Sequence, residues 1–213
     1  MSSALKFSSL HVYRFVQDQV DVALRPGRFS FDAARGMWTR ALAGGIEHFV
    51  SLPTDIAGDV GPVVVTANLG VFYRPLVAKL ARRDDLSDNR RRAQNLSTFT
   101  RNVGQLSGKR TWRDWTIHES ANAERVAWRL AARIVSVGLP WLATFDSPAA
   151  VCEGFRTYGR EDHRRYTVPL LERLLDGAAA DAATNEVAND EPGKPRIFAL
   201  RMGGDEITWH CDE

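Results

Sequence analysis

The sequence predicts an α+β fold in which an N-terminal helix precedes an antiparallel meander of four to five strands, followed by C-terminal helices and a terminal hairpin. Two observations carry this prediction. The hydrophobic spacing changes near Ser120 from a period of about 2 to one of about 3.6, so strands and helices occupy different parts of the chain. The predicted strands also follow one another directly, unlike the strand-helix alternation of a doubly wound sheet.

Composition and length bound the architecture further. The chain has 213 residues, of which 44% are apolar and 25% charged, which is typical of a globular protein able to bury its own core. The segment Thr184 to Pro195 is polar and has few apolar anchors, as expected for a linker. We therefore expect a single α+β domain over residues 1–183, with residues 184–213 forming a linker and a C-terminal hairpin on or near it.

The first elements follow from spacing and stop residues. Leu10 to Leu24 carries apolar residues at helical spacing, and Arg25-Pro26-Gly27 supplies a stop. Trp38 to Leu42 and Ile46 to Leu52 are strand-like and are separated by Ala43-Gly44-Gly45. A glycine pair between two such runs predicts a hairpin, because both turn positions can take a positive φ.

The middle of the chain predicts three more strands. Pro53 to Pro62 has the composition of a turn. Val63 to Tyr73 is rich in β-branched and aromatic residues and apolar on both faces, which favours a central strand covered on both sides. Thr98 to Leu106 and Thr111 to Ile117 are two further strands, joined by a tight connection at Ser107 to Arg110.

The C-terminal part predicts helices and a hairpin. A helix starts at Ser120 and is expected to end at Gly138 and Pro140, and Ser147 before Pro148 is the pattern of a helix N-cap. The remaining elements are a helix that follows Thr167 and ends at Gly177, and a hairpin of Ile197 to Met202 with Glu206 to Cys211.

Targeting features are sparse, so we expect a cytoplasmic protein with no membrane partner. Charged residues interrupt each apolar stretch within the first 30 residues, which argues against a signal peptide. The longest charge-free apolar stretch, Ile134 to Phe145, is shorter than the roughly 20 residues that span a bilayer. Cys152 and Cys211 are far apart in the sequence, which fits a reducing compartment better than a disulfide framework.

An ordered set of residues between Leu24 and Ser147 carries a family resemblance. The set is Leu24, Gly27 with Phe29, Trp38-Thr39-Arg40, the strand Ile46 to Leu52, Asn68-Leu69-Gly70-Val71, Arg101 with Gly104 and Leu106, Trp112 or Trp115, and Leu139-Pro140. This order resembles the bacterial family called domain of unknown function 4304. The sequence departs from that family at Ser51-Leu52-Pro53, where many relatives carry a glutamine, and in its tail from about Tyr158. The resemblance implies a fold rather than a chemistry, and some such small bacterial domains act as immunity or accessory proteins.

Catalytic and cofactor motifs are missing from the sequence. Five histidines are scattered without the HExxH, HxH or CxxC spacing that brings two metal ligands to one face. No phosphate-binding loop, dinucleotide fingerprint or nucleophile elbow occurs either. We therefore predict no catalytic residues, no metal and no cofactor.

One candidate ligand site lies on the predicted sheet. Asn68 is a polar amide in an apolar strand, and without hydrogen-bond partners it would cost about 1–3 kcal/mol. If the meander order holds, Arg40, Asn68 and Arg101 meet on one sheet face and could grip a carboxylate or phosphate. The alternative is a satisfied amide that bridges two strands, flanked by solvated arginines.

A second candidate is a basic surface. Residues 82–113 hold nine basic against three acidic side chains, a net charge of +6, although the whole chain carries only +2. Phe99, Trp112 and Trp115 lie among them, which is the composition of a single-strand binding surface. The alternative is a solvated loop. The predicted basic residues are Arg90, Arg91, Arg92, Lys109, Arg110 and Arg113.

Three functions are open at this point. The leading one is a non-catalytic domain that binds a protein partner, immunity-like or accessory, because no catalytic motif is present. The first alternative is a nucleic-acid-associated protein that uses the basic stretch. The second alternative is an enzyme with an anion-binding site on the sheet face at Arg40, Asn68 and Arg101.

Overall fold

The computed structural model describes residues 8–59, 61–82, 90–106, 111–118, 120–177, 197–202 and 205–210. The chain divides into two compact units, Met1–Leu171 and Glu172–Glu213. The larger unit is an α+β structure with an N-terminal helix, antiparallel sheets and C-terminal helices, as the sequence predicts.

Helix α1 (Ser9–Leu24) confirms the first predicted element. The Ser8 hydroxyl caps it by accepting a hydrogen bond from the His11 N–H, and the buried residues recur every four positions. These buried residues are Val12, Val16, Val20 and Leu24. The helix passes into a 3₁₀ turn, Arg25–Gly27, at the predicted stop.

The strands of the larger unit form two antiparallel sheets. They are β1 (Ser30–Asp32), β2 (Met37–Ala41), β3 (Ile46–Ser51), β4 (Thr54–Ile56), β5 (Val63–Thr66), β6 (Asn68–Tyr73), β7 (Thr98–Asn102) and β8 (Asp114–Ile117). The main sheet has the order β1-β2-β3-β6-β7, and the smaller one has the order β4-β5-β8. The β2-β3 hairpin is therefore confirmed, whereas β5 leaves the predicted meander. The predicted turn Pro53 to Pro62 is wrong in part, because β4 lies within it and pairs with β5.

The predicted strand Val63 to Tyr73 is wrong as a single element. The chain changes sheets at Ala67, so β5 and β6 belong to different sheets. Every odd-numbered residue from Val63 to Tyr73 is buried, so the alternation of period 2 continues across the break and conceals it. β8 likewise pairs with β5 and not with β7, and the segment after β7 turns into a 3₁₀ helix, Val103–Leu106.

Two short helices connect β6 to β7, and a further series of helices follows β8. They are α2 (Arg74–Leu80), α3 (Arg90–Leu96), α4 (Ser120–Arg133), α5 (Leu139–Ala143), α6 (Pro148–Tyr158) and α7 over residues 168–177. The predicted stop at Gly138 and Pro140 is wrong, because a π-helical turn, Ile134–Gly138, links α4 to α5. Pro140 falls in the first turn of α5, where a missing N–H is tolerated.

One face of the main sheet holds the core and the other is partly open. Trp38, Leu69 and Phe99 point to the covered face and are buried. Helices approach this face closely at two glycines. A Cβ on Gly138 would collide with a Leu69 methyl carbon, and one on Gly154 would collide with the Phe99 ring.

The smaller unit contains the predicted terminal hairpin. β9 (Ile197–Met202) pairs antiparallel with β10 (Asp205–His210). The predicted linker between α7 and β9 lies outside the described residues.

The segment Asn122–Ala143 is long and apolar enough to span a membrane by length and composition. Ala127, Leu130, Ile134 and Leu142 form a buried stripe along it, and about a third of its apolar window (33%) is buried in the protein. The absence of a membrane partner stays a prediction.

Candidate functional site

The structure does not bring Arg40, Asn68 and Arg101 together. Directly paired residues share a sheet face, and the register aligns Arg40 with His48, Val71 and Phe99 across β2, β3, β6 and β7. Arg101 lies on that same covered face, but three strand spacings, about 14 Å, separate β7 from β2. Asn68 points to the other sheet face, together with its paired residues Ser51 and Asn102. The predicted three-residue anion site on one face is therefore not formed.

Arg40 joins the end of α1 to the sheet. Its Nη1 donates to the Gly27 carbonyl (3.1 Å), its Nη2 donates to His48 Nδ1 (3.0 Å), and its guanidinium lies over the Phe29 ring. His48 Nε2 donates in turn to the Phe145 carbonyl (2.9 Å), so the imidazole is neutral. Burial, with a further contribution from the Arg40 charge, lowers the pKa of His48.

A cleft of about 590 Å³ runs along β7, the edge strand of the main sheet; we call it the β7-edge cleft. Its volume lies within the range of small-molecule sites. Its lining combines cations, amides and aromatic rings: Arg92, Arg101 and Arg160; Asn68, Asn95, Asn102 and Gln105; Phe99, Trp112 and Tyr158. Asp162 and His163 also line it.

The outer edge of β7 offers backbone groups to this cleft. At the two ends of the β6-β7 pair, the Tyr73 N–H donates to the Ser97 carbonyl and the Val103 N–H donates to the Ala67 carbonyl. In an antiparallel pair the hydrogen-bonded residues alternate, so every second residue from Ser97 to Val103 directs its N–H and C=O toward β6. The N–H and C=O groups of Thr98, Thr100 and Asn102 consequently point away from β6. The Gln105 side chain accepts from the Asn102 N–H (3.2 Å), whereas Thr100 is exposed.

Trp112 presents an exposed ring in a fixed orientation. The side chain is 58% exposed, yet its Nε1 donates to Asp114 Oδ1 (2.8 Å). The same oxygen accepts from the Thr66 hydroxyl (2.6 Å), which holds Asp114 in place. A large ring that is both exposed and held provides a stacking surface at little cost in side-chain entropy.

The arginines of the cleft are held by aromatic rings. The Arg101 guanidinium lies 5.2 Å from the centre of the Tyr158 ring, and Arg92 lies 5.9 Å from that of Tyr166. Guanidinium groups stacked in this way keep their N–H edges available for phosphate or carboxylate oxygens. Against three arginines the lining carries one carboxylate, Asp162.

The His163 side chain adds no positive charge to the β7-edge cleft. Its Nδ1 accepts from the Arg160 N–H (2.8 Å), and its Nε2 donates to the Asn95 carbonyl (3.1 Å), so the ring is neutral. Burial lowers its pKa. The cleft therefore keeps an excess of positive charge.

Two asparagines of the cleft have different roles. Asn102 Oδ1 accepts from the N–H groups of Gly104 (2.8 Å) and Arg113 (3.0 Å), and its Nδ2 donates to the Arg113 carbonyl. It thereby fixes the end of the loop that carries Trp112. Asn68 Oδ1 is buried and finds no hydrogen-bond partner in the described part of the chain, in contrast to the predicted alternative of a satisfied amide.

The predicted basic surface is only partly described. Arg92 lines the cleft, and the Arg113 guanidinium lies over the Trp115 ring. Arg90 and Arg91 begin α3, but their side chains, like residues Lys109 and Arg110, lie outside the described part. Sequence analysis missed Arg160 and Tyr158, because they are distant in sequence and reach the cleft only through the packing of α6 against β7.

Within the described residues, no group of three or more His, Cys, Asp or Glu side chains could hold a metal ion. Comparisons with protein-family models, curated proteins and solved structures find no match to this chain. The resemblance to domain of unknown function 4304 therefore stays a prediction.

Proposed function

We propose that the β7-edge cleft binds a nucleotide unit, either in a single-stranded nucleic acid or as a free nucleotide, without transforming it. The observation that carries this proposal is the exposed, hydrogen-bonded ring of Trp112 in the same cleft as three arginines. A stacking ring with a positively charged groove is the combination by which proteins bind single strands.

Each part of a nucleotide has a complementary group in the cleft. The base would stack on Trp112, because every base has a π face. The phosphate would pair with guanidinium groups such as that of Arg101, which Tyr158 keeps extended. The exposed N–H and C=O of Thr100 offer one donor and one acceptor to the edge of a base.

The first experiment compares two exposed tryptophans. Labelled single-stranded DNA of about 12 nucleotides, within the usual site sizes, is titrated with the protein and followed by fluorescence anisotropy. Trp112→Ala should weaken binding about fivefold or more, since one stacked base contributes about 1–3 kcal/mol. Trp128→Ala is the matched control, because Trp128 is 67% exposed on α4 and does not line the cleft. Equal losses in both variants, or no binding by the wild type, would refute the proposal.

The second experiment separates the ligand sources and tests the arginines. Arg101→Gln should reduce the slope of log affinity against log salt concentration by about 1, whereas Arg129→Gln, an exposed arginine of α4, should not. Competition by adenosine monophosphate at similar concentrations of nucleotide would assign a free nucleotide. Competition only by unlabelled strands would assign a nucleic acid.

The protein-binding function predicted from sequence has a separate supporting observation. Trp128 is 67% exposed and Val135, two helical turns later, is 40% exposed, so two apolar side chains of this segment face outward. We propose this helix face as the contact for an apolar surface of an immunity-type or accessory partner. A partner isolated from the native cell should bind Trp112→Ala but not Trp128→Asp, and the reverse pattern would contradict this second proposal.

A further inference from the structure

We infer that the opposite edge of the main sheet carries a second, separate site that binds a small oxyanion, a phosphate or a carboxylate. The site is a cleft of about 540 Å³ at the end of β2, which we call the β2-edge cleft. Its lining includes Arg28, Arg40, Arg74, Glu47 and the hydroxyl groups of Ser30 and Thr39. This inference does not depend on the nucleotide function proposed for the β7-edge cleft.

The cleft exists because β1 is shorter than β2 and does not pair with the end of β2. β1 pairs with β2 from Met37 to Thr39, and a continued register would place Arg28 opposite Ala41. Arg28 instead adopts the left-handed conformation, with φ 59° and ψ 31°, so the chain turns away. The Leu42 N–H donates to the Ile46 carbonyl, which directs the N–H and C=O of Ala41 outward. Ala41 thus directs its N–H toward the cleft.

The conformation of Arg28 is a second observation. It is the one residue other than glycine with a positive φ in the described part of the chain. A glycine would adopt this conformation without the steric cost that any other side chain incurs. Such outliers concentrate at binding sites, where the side chain has a use that offsets the cost. Here the side chain brings a guanidinium to the cleft.

The third observation is a cation without a counter-ion. Arg40 makes hydrogen bonds to a carbonyl and to a neutral histidine, and no carboxylate of the described residues pairs with it. Its Nε is buried and has no acceptor among the described residues. The Arg40 charge is therefore not paired with a carboxylate beside the cleft, although the Asp146 charge acts on its partner His48, and an anion would be stabilised there.

The fourth observation is that a buried carboxylate, that of Glu47, holds Arg74 in place. Glu47 is 2% exposed, and its Oε2 accepts from Arg74 Nη2 (2.5 Å) while its other oxygen binds Arg35. Arg74 itself remains 63% exposed, so part of its guanidinium is available to a ligand. One carboxylate shared by two arginines leaves this group with a net positive charge. An oxyanion could pair with Arg74 and Arg28 and accept from the Ala41 N–H.

The test follows backbone amides of the full chain by NMR while inorganic phosphate or, in a second titration, succinate is added. The Ala41 amide should shift saturably, and the source with the lower dissociation constant distinguishes phosphate from carboxylate. Arg28→Gly removes the guanidinium while favouring the same backbone conformation, so it should fold normally and bind about tenfold more weakly. Arg74→Gln should weaken binding to a similar extent, and Arg129→Gln, at an exposed arginine of α4 outside both clefts, is the control that should leave it unchanged.

Three outcomes would overturn the inference. The first is a titration without saturation at Ala41 with either anion. The second is equal binding by wild type, Arg28→Gly and Arg74→Gln, which would show that neither guanidinium holds the ligand. A phosphate response confined to Thr100 and Arg101 would also refute it, and would assign the anion to the β7-edge cleft instead.

Discussion

Gly70 illustrates how single atoms set the packing of the partly open sheet face. It pairs with Phe49 across β3 and β6, and the Phe49 ring lies directly over it. A Cβ on Gly70 would lie far inside the van der Waals distance of Phe49 Cζ. The ring covers a backbone that would otherwise be exposed, which is a known way of stabilising glycine in a sheet.

We expect Gly70→Ala to lower the free energy of unfolding by about 1–3 kcal/mol, because the Phe49 ring must leave its position. Urea denaturation measures this change. Gly177→Ala is the control, since nothing lies within 4 Å of the position that its Cβ would take, and its effect should stay within about 0.5 kcal/mol. Equal stability of wild type and Gly70→Ala would mean that the ring is not fixed there.

Asn102 is a positioning residue for the β7-edge cleft, because its amide holds both Gly104 and Arg113. Asn102→Ala removes the acceptor of the Gly104 and Arg113 N–H groups and should cost about 1–3 kcal/mol of stability. It should also weaken single-strand binding by releasing Trp112. Asn102→Asp keeps the two acceptor contacts but loses the donor to the Arg113 carbonyl and adds a negative charge to the cleft, so it should not restore binding. Unchanged single-strand binding by Asn102→Ala would show that Asn102 does not position Trp112.

Among the elements, α3 depends on a π-helical turn distant in sequence. The carbonyls of Asn95 and Leu96 at its last turn accept from His163 Nε2 (3.1 Å) and the Thr167 hydroxyl (2.7 Å), both from the π turn His163–Thr167. These two contacts satisfy carbonyls that a helix end leaves without partners. They also hold α3, and with it Arg92, against the cleft.

Thr167→Val replaces this hydroxyl by a methyl group of nearly the same shape. The Leu96 carbonyl then loses its donor, which should cost about 1–3 kcal/mol. Hydrogen exchange should become faster in α3 while α1 stays protected. Thr157→Val is the control, because the Thr157 hydroxyl contacts only an exposed glutamate of its own helix. Unchanged exchange in α3 would contradict its dependence on the π turn.

Local patterns predict the elements whose partners are close in sequence. α1 follows from valines spaced four apart, and the β2-β3 hairpin follows from Gly44-Gly45. The sheet change at Ala67 has no local mark, because the alternation of buried residues continues through it. α2 and α3 escape sequence analysis because each has only seven residues, too few for a helical period to emerge.

The candidate sites show the same limit. The basic and aromatic composition around Trp112 indicates a binding surface, but Arg160 and Tyr158 join it only through tertiary packing. Arg40 and Arg101 are predicted to meet, yet a sequence pattern gives the face of a strand and not its place in the sheet. The structure assigns them to clefts at opposite edges.

For the whole molecule, the net charge of +2 conceals an uneven distribution of charge over the surface. Each edge of the main sheet has a cleft whose lining contains three arginines and one carboxylate. A weak overall field therefore coexists with two local positive sites, and neither is expected to attract anions from far beyond a Debye length. Binding at either cleft should depend on direct contacts more than on long-range steering.

Stability against pH is also a property of the whole molecule, since it sums over all groups whose pKa changes on folding. Burial lowers the pKa values of His48 and His163 from 6.5. Burial alone would raise the pKa of Glu47, but hydrogen bonds from Arg74 and Arg35 bring it below 4.5. All three groups bind protons more readily in the unfolded chain, so stability must fall as the pH falls.

We expect two stages of loss, measured as the free energy of unfolding in urea between pH 8 and pH 3. Below the ordinary histidine pKa of 6.5, each buried histidine removes up to about 1.4 kcal/mol per pH unit until its folded-state pKa is reached. Below 4.5, protonation of Glu47 adds a further loss. Above pH 7 the histidine contribution is complete and the curve should be flat.

His48→Gln isolates one contribution to this curve. Its amide oxygen can accept from Arg40 and its amide N–H can donate to the Phe145 carbonyl, so both hydrogen bonds are retained without a titrating group. The variant should therefore show a shallower loss between pH 6.5 and pH 5, while the loss below pH 4.5 is unchanged. An unaltered slope in the upper range would mean that His48 is not held neutral between Arg40 and Phe145, and the unpaired charge assigned to Arg40 would fall with it.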